Sequence, residues 1–183
     1  MMNSGLATVT VTVTGSGSGS DSNSLLPGSA SASRAPGGWA GGRRAGYNDP
    51  MTPDLGRLQL FVRATLGCGC PDEVLQWIEC SQQSQTNGDD ELRLTRIDVG
   101  GRLLVYVIQA ANHPAAAAAA VPTVIASGLV ERSRGGFNRL RIVVADPDVE
   151  AARPLAEASF AASAPRDDRL HLHVVSADEL PFD

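Results

Sequence analysis

Short runs of aliphatic and β-branched residues, separated by glycines and polar stretches, recur along the C-terminal two thirds of the chain. Such runs are typical of strands, whereas apolar residues spaced three and four apart are typical of amphipathic helices. Helical spacing follows Pro71, where Val74, Leu75 and Ile78 share one face, and it returns at Pro122. The pattern predicts five strands, over 58–65, 93–99, 102–109, 140–145 and 169–175. It also predicts three helices: one that begins at 71 and fades within 81–87, one over 122–134, and one over 148–162 that is interrupted near Pro154.

The predicted order of elements is β-α-β-β-α-β-α-β, which is typical of an α/β protein. Strands interleaved with helices bury both faces of a sheet. We therefore expect a single-domain sandwich, with a mixed sheet of about five strands and helices packed on it. Gly100-Gly101, between the second and third strands, is a two-residue hairpin signal. The first six elements match the split β-α-β pattern.

The first 56 residues differ in composition from the rest, because 11 of them are Gly and 9 are Ser. A segment of this kind buries too little apolar surface to offset the entropy lost when the chain is ordered. Val and Thr alternate over 8–14, as in a strand, but nothing nearby in the sequence defines a pairing register. We predict a disordered tail over 1–56 and an α/β domain over 57–183.

Charge and composition exclude several classes of function. All 15 basic residues are Arg, so lysine-dependent phosphate loops and Schiff-base chemistry are excluded. The domain accounts for the formal net charge of −5, which disfavours binding to nucleic acid or to an anionic membrane surface. No apolar run approaches the roughly 20 residues of a membrane helix, and the N-terminus lacks a signal-peptide pattern. We expect a soluble cytoplasmic protein.

The three cysteines are too few, and odd in number, for a disulfide-stapled scaffold. Cys68-Gly69-Cys70-Pro71 lies where the first predicted strand meets the first predicted helix. The dipole and free N–H groups at a helix N-terminus stabilise a thiolate, which is the nucleophilic, redox-active and metal-binding form. Acidic residues at 72 and 73 oppose this effect. Cys80 would lie about 15 Å further along the helix, so we expect it to be a buried structural residue.

The segment 58–82 resembles the thioredoxin-like families, which also place a cysteine motif between the first core strand and a helix. Their usual motif has two residues between the cysteines, whereas Gly69 stands alone here. Those families also carry a cis-proline that faces the cysteines. Val121-Pro122-Thr123 is the candidate for that element, although the apolar spacing after Val121 favours a helix that begins at Pro122. The resemblance implies reactive thiols at Cys68 and Cys70.

Two histidines offer an alternative chemistry. His171 and His173 share one face of the last predicted strand, because side chains alternate with a period of two. Together with Cys68 and Cys70 they would form a Cys₂His₂ set suited to zinc. This site requires the last strand to lie close to the cysteines. Otherwise the histidines face solvent while their apolar neighbours face the core.

Four arginines, Arg132, Arg134, Arg139 and Arg141, form a local basic cluster around the glycines at 135–136. Such a cluster can hold an anionic substrate. Arginines at a helix end also commonly complement the helix dipole.

Three functions follow from these patterns. The first is a thiol-dependent redox module, with Cys68 as nucleophile and Cys70 as resolving residue, acting on a protein thiol or a small-molecule thiol without a cofactor. The second is a zinc-binding protein that uses the same cysteines with His171 and His173. The third is a non-catalytic interaction module tethered by its N-terminal tail.

Overall fold

A computed structural model of the chain describes residues 7–14, 54–87, 90–111 and 113–182. Within these residues the central feature is a six-stranded mixed sheet in which the strands lie in sequence order. The first four strands pair antiparallel, and the last three run parallel to one another. The strands are β1 (Ala7–Thr14), β2 (Trp77–Asn87), β3 (Asp90–Val99), β4 (Leu103–Ala110), β5 (Arg139–Asp146) and β6 (Leu170–Ser176).

Helices cover both faces of this sheet, which confirms the predicted α/β class. The helix α1 continues into a π-helical segment at Phe61–Thr65, and a 3₁₀ turn at Ala177–Glu179 follows the last strand. The α-helices are α1 (Leu55–Leu60), α2 (Asp72–Leu75), α3 (Pro114–Gly135) and α4 (Val149–Ser163).

The core consists of two apolar clusters, one on each face of the sheet. On the first face, here called the α1 face, the π-helical segment and its neighbours cover the odd-numbered residues of β4 and β5, such as Val105 and Val143. On the second face, here called the α3 face, α3 and α4 cover even-numbered residues such as Leu104 and Ile142. Because strand side chains alternate, residue parity alone assigns each side chain of β4, β5 and β6 to a face.

The last six predicted elements are confirmed, with boundaries shifted by small amounts except at the start of α3. Gly100 and Gly101 have φ values of 56° and 64°, which are the left-handed values that a two-residue hairpin turn requires. The helix α3 begins at Pro114 rather than Pro122, because the six alanines are strong helix formers. The helix α4 continues through Pro154 without the predicted interruption.

The segment 58–65 is helical, so the strand predicted there is wrong. The Asp54 carboxylate caps α1 by accepting hydrogen bonds from the backbone N–H groups of Gly56 at 2.7 Å and Arg57 at 3.2 Å. Leu58, Phe61 and Val62 are spaced three and four apart and are all buried. The β-branched and aromatic content of this run favoured a strand, but the cap and the spacing decide for a helix.

The helix predicted from residue 71 is also shorter than expected. It ends at Leu75, and β2 begins at Trp77. Burial alternates at the start of β2, since Ile78 and Cys80 are buried whereas Trp77 and Glu79 are exposed. The strand pairs with β1 on one side and β3 on the other, and these backbone hydrogen bonds override the local helical spacing.

Part of the predicted disordered tail is a strand. Residues 7–14 form β1, which pairs with β2 from Ala7↔Ser84 to Thr14↔Trp77. The pairing register that the sequence did not define comes from β2, which lies far along the chain. The remainder of the predicted tail up to residue 53 lies outside the described residues.

The sheet does not follow the split β-α-β pattern. Its strands lie side by side in sequence order, whereas the split pattern inserts a later strand between earlier ones. The difference arises because the first predicted strand is helical, so the meander β2-β3-β4 precedes the two parallel crossovers.

The helix α3 is long and apolar enough, by length and composition, to cross a membrane, with a mean hydropathy of 1.4 over its most apolar window. The expectation that no apolar run reaches this length is therefore wrong, because the alanines adjoin the apolar residues that follow them. In the fold, α3 connects β4 to the parallel strand β5, and Ala117, Val121 and Ile125 are buried in the core of the α3 face. This is the position of a crossover helix in an α/β protein.

Candidate functional site

The two cysteines of the Cys-x-Cys segment lie close together on the α1 face. Their sulfur atoms are within bonding distance of each other, and their Cα atoms are 5.3 Å apart. The latter distance falls within the range of about 4.4–6.8 Å that is usual for disulfides. Both side chains are half-buried and pack against the core of the α1 face. The segment thus brings together the pair that the sequence predicted.

The segment follows a helix and not the predicted strand. It leaves the π-helical segment through Leu66, and Gly67 has a φ of 61°, a left-handed value that glycine adopts without strain. The Cys68 N–H donates to the carbonyl oxygen of Val62 at 3.1 Å, which ties the start of the segment to the preceding helical turn. No neighbouring atom lies within 4 Å of the position that a Cβ atom would take on Gly69.

The cysteines line a cavity of about 200 Å³ that they share with two cationic side chains. Arg102 lies in the β3–β4 turn, and Arg139 begins β5. The backbone N–H groups of Asn138 and Arg139 donate to the carbonyl oxygen of Arg102 at 2.8 and 3.3 Å, which fixes these two segments to each other. The cavity therefore brings the two cysteines together with two arginine residues at the N-terminal end of the parallel strands.

The helix that the sequence placed after the cysteines contributes little to this site. The helix α2 has only four residues, so its dipole is small, and its first turn carries Asp72 and Glu73. Arg63 forms an ion pair with Asp72 and offsets one of these charges. The basic residues that share a cavity with the cysteines are therefore Arg102 and Arg139. No pattern in the sequence linked these two arginines to the cysteines.

Cys80 is separate from the pair, as expected. It is buried in β2 on the α1 face, and its sulfur is free. Burial raises the pKa of the Cys80 thiol to about 12, and the positive charge of Arg96 lowers it by a smaller amount. A thiol of this kind stays protonated at neutral pH and is a poor nucleophile.

The structure places His171 and His173 on β6, on the α1 face. His171 is exposed and His173 is half-buried. Burial and the nearby Arg141 lower the pKa of both histidines, that of His173 to about 4. Within the described residues, no group of three or more His, Cys, Asp or Glu side chains lies close enough to hold a metal ion. The four zinc candidates, which are all described, therefore do not converge.

The candidate cis-proline element is part of a helix. Val121, Pro122 and Thr123 lie within α3, and no peptide bond among the described residues is cis. Val121 is buried in the core of the α3 face, whereas the cysteines pack on the α1 face. The sheet thus separates Val121 from the thiols.

The arginine cluster divides into different environments. Arg132 donates to Asp167 at 2.5 Å, and both side chains are mostly buried. Arg134 is exposed in the last turn of α3. Arg139 and Arg141 face the α1 side of β5, on the opposite side of the sheet from α3.

A further polar network, formed by residues that the sequence patterns did not single out, joins β3 and β4 to α3. Arg96 Nε donates to a Glu131 carboxylate oxygen at 2.5 Å, and the Tyr106 hydroxyl donates to the other oxygen of that carboxylate. Arg96 also lies over the Phe137 ring, 5.9 Å from its centroid. The register pairs Arg96 directly with Tyr106. The alternation of side chains along the predicted hairpin was therefore the sequence signal that could have placed these two residues side by side. Because the charges of this network are compensated, it serves to join β3 and β4 to α3.

No protein-family model, curated protein sequence or solved structure matches this chain.

Proposed function

We propose that the protein is a thiol-dependent redox module whose active group is the Cys68–Cys70 pair. The observation that carries the proposal is the approach of the two sulfur atoms within a cavity that also contains Arg102 and Arg139. A pair buried only for packing would need no cavity beside it. A cavity of about 200 Å³ gives a second sulfur atom room to approach.

The reaction is a thiol–disulfide exchange. The Cys68 thiolate attacks one sulfur of an external disulfide, forms a mixed disulfide and releases one external thiolate, which takes up a proton. The Cys70 thiolate then attacks Cys68, closes the intramolecular disulfide and releases the second external thiol. Overall, the pair loses two electrons and two protons, and the external disulfide gains them. The reverse direction reduces the pair with an external dithiol.

The two arginines that line the cavity support this chemistry, because a positive charge near a thiol favours its thiolate form, which is the reactive form. With α2 reduced to four residues, Arg102 and Arg139 take the place that the sequence analysis gave to the helix dipole. We place the reaction in the cytoplasm, where reducing conditions keep such a pair cycling, and its partner is a protein thiol or a small-molecule thiol.

The test measures the redox state of the purified full-length chain against mixtures of reduced and oxidised glutathione. We expect the mass of the oxidised chain to be about 2 Da lower than that of the reduced chain, and we expect a reductant to abolish this difference. Cys68→Ser and Cys70→Ser should each abolish that change, whereas the control variant Cys80→Ala should keep it. Cys70→Ser should also accumulate a glutathione adduct on Cys68, because the resolving thiol is absent.

Two results would overturn the proposal. In the first, the thiols of Cys68 and Cys70 react with an alkylating reagent no faster than those of the unfolded chain at neutral pH. In the second, the Cys68→Ser, Cys70→Ser double variant keeps the function of the protein in its host while its circular dichroism is unchanged. The second result would favour the interaction module instead.

A further inference from the structure

Arg141 is a buried cation without a counter-charge. It is the third residue of β5, between β4 and β6, and the residue is only 6 % exposed on the α1 face. Its Nε and Nη1 atoms are both buried, and neither has a hydrogen-bond acceptor. Taking a guanidinium group out of water without pairing it is strongly unfavourable for the folded state.

The surroundings of Arg141 on this face are positive or neutral. Arg139 lies two residues before it on β5, and its positive charge lowers the pKa of Arg141 further, after the larger effect of burial. On the neighbouring strand, His171 pairs directly with Arg141, and His173 lies one step further along the same face. His173 Nε2 is also buried without a hydrogen-bond partner.

The nearby carboxylates are engaged elsewhere. Asp167 and Asp168 act on His171, whose pKa they raise slightly against the larger effects of burial and the arginines. Asp167 accepts from Arg132 at 2.5 Å and from the Arg169 N–H at 2.9 Å. No carboxylate among the described residues forms an ion pair with Arg141.

We propose that Arg141 and His173, with Arg139 and His171 at its border, form a binding site for a small oxyanion such as phosphate, sulfate or a carboxylate. Arg141 supplies two free N–H donors, and the His173 tautomer that carries its proton on Nε2 supplies a third. An anion there offsets the buried charge and satisfies three orphaned polar atoms. This inference does not depend on the reactivity of the cysteines.

The size and depth of the site restrict the ligand. Arg141 is 94 % buried, so a polyanionic surface such as nucleic acid or a membrane cannot reach its guanidinium group. Its neighbours line two cavities, one of about 200 Å³ beside Arg139 and one of about 440 Å³ beside His171 and His173. The carboxylate that lines the larger cavity, Glu157, is paired with Arg153 at 3.9 Å. We therefore expect the ligand to be a single tetrahedral or planar oxyanion, free or at the end of a small molecule.

The test uses the histidine side chains as reporters. The chain has three histidines, so the imidazole nitrogen NMR signals of the full-length protein can be assigned completely. Inorganic phosphate, sulfate and acetate are titrated separately against chloride at constant pH and ionic strength. We expect saturable shifts of the His171 and His173 signals with little change at His113. The rank of the three anions then separates a phosphate-like ligand from a carboxylate.

Variants make the assignment specific. Arg141→Gln should weaken binding of the best anion at least about tenfold, because it removes a charge-assisted donor pair. Arg166→Gln removes one positive charge from an exposed loop and should leave binding nearly unchanged. The proposal fails if no anion gives saturable shifts at His171 and His173, or if Arg141→Gln binds as tightly as wild type. It also fails if both variants weaken binding equally. The wild-type spectra decide the question even if Arg141→Gln does not fold.

Discussion

At the scale of single residues, His173 shows how burial on a sheet face changes the pKa of a side chain. It stands on a strand whose exposed edge position would suggest a solvated imidazole. The side chain is instead half-buried on the α1 face, and its pKa falls to about 4 because burial and the charge of Arg141 disfavour the charged form.

This shift predicts a pH dependence of stability. The folded-state pKa of His173 lies below its ordinary value of 6.5, so the unfolded chain binds more protons between pH 6.5 and about 4. The contribution of His173 to the free energy of unfolding is therefore fully present above pH 6.5 and is lost as the pH falls through this window. The free energy of unfolding falls by at most about 1.4 kcal/mol per pH unit from this one group.

Urea unfolding in phosphate-free buffer between pH 4 and 8 measures this slope. His173→Gln should reduce the loss of stability over the window, because glutamine does not titrate. An imidazole titration midpoint near 6.5 for His173 in the folded protein would contradict the prediction.

Cys80 and the Cys68–Cys70 pair show the opposite relation between sequence and structure at this scale. The short loop with Gly69 lets the two sulfur atoms of the pair meet, and this local geometry depends on few residues, so the sequence predicts it. Cys80 is buried as expected, but it lies in β2 and not on the helix from which that expectation was argued.

At the scale of elements, α1 is the clearest departure from the prediction. Its run of β-branched and aromatic residues has strand propensity, yet it forms a helix that passes into a π-helical turn. The Asp54 cap and the buried spacing of Leu58, Phe61 and Val62 were both present in the sequence. Strand propensity depends strongly on context, so a cap followed by helical spacing is the better guide.

Asp54→Ala should therefore destabilise the protein by about 1 kcal/mol, since it removes the acceptor for two backbone N–H groups at the start of α1. Asp54→Ser is the matched control, because serine also caps helices, and it should keep most of the stability. Chemical denaturation of the three proteins measures the difference. Equal stability of all three would indicate that the segment does not depend on a helix cap.

The elements that were predicted correctly are bounded by turn glycines and helix caps, which depend on residues close in sequence. Left-handed glycines define the β3–β4 turn, and the left-handed Gly136 ends α3. Asp148 caps α4 by accepting from the Ala151 N–H at 3.0 Å. In contrast, β2 follows a segment with helical spacing, and only its pairing with β1 and β3 makes it a strand.

At the scale of the whole molecule, the crossover layer depends on contacts between elements far apart in sequence. Arg132, in the last turn of α3, donates to Asp167 in the loop before β6. The two side chains are 12 % and 15 % exposed, so this ion pair is largely shielded from solvent. It joins the end of the β4–β5 connection, at α3, to the end of the β5–β6 connection, just before β6.

Arg132→Gln should destabilise the protein by about 2 kcal/mol, because it leaves a mostly buried carboxylate with one partner fewer. Arg134→Gln changes the same residue type in the same helical turn, but its side chain is exposed, so the expected loss is below about 0.5 kcal/mol. Thermal and urea unfolding of both variants measure the contrast. A loss of stability as large in Arg134→Gln would indicate that net charge, not the ion pair, is responsible.

The sequence by itself determined the α/β class, the four strands and two long helices that follow β2, the hairpin turn between β3 and β4, and the cysteine pair. These features depend on turn residues, caps and periodicities that act over a few positions. Only the tertiary structure decided that β1 and β2 join the sheet, that Arg102 and Arg139 line the cavity of Cys68 and Cys70, and that Arg141 is buried without a partner. Such features depend on which face of a strand is covered and by what, and no local pattern encodes that choice.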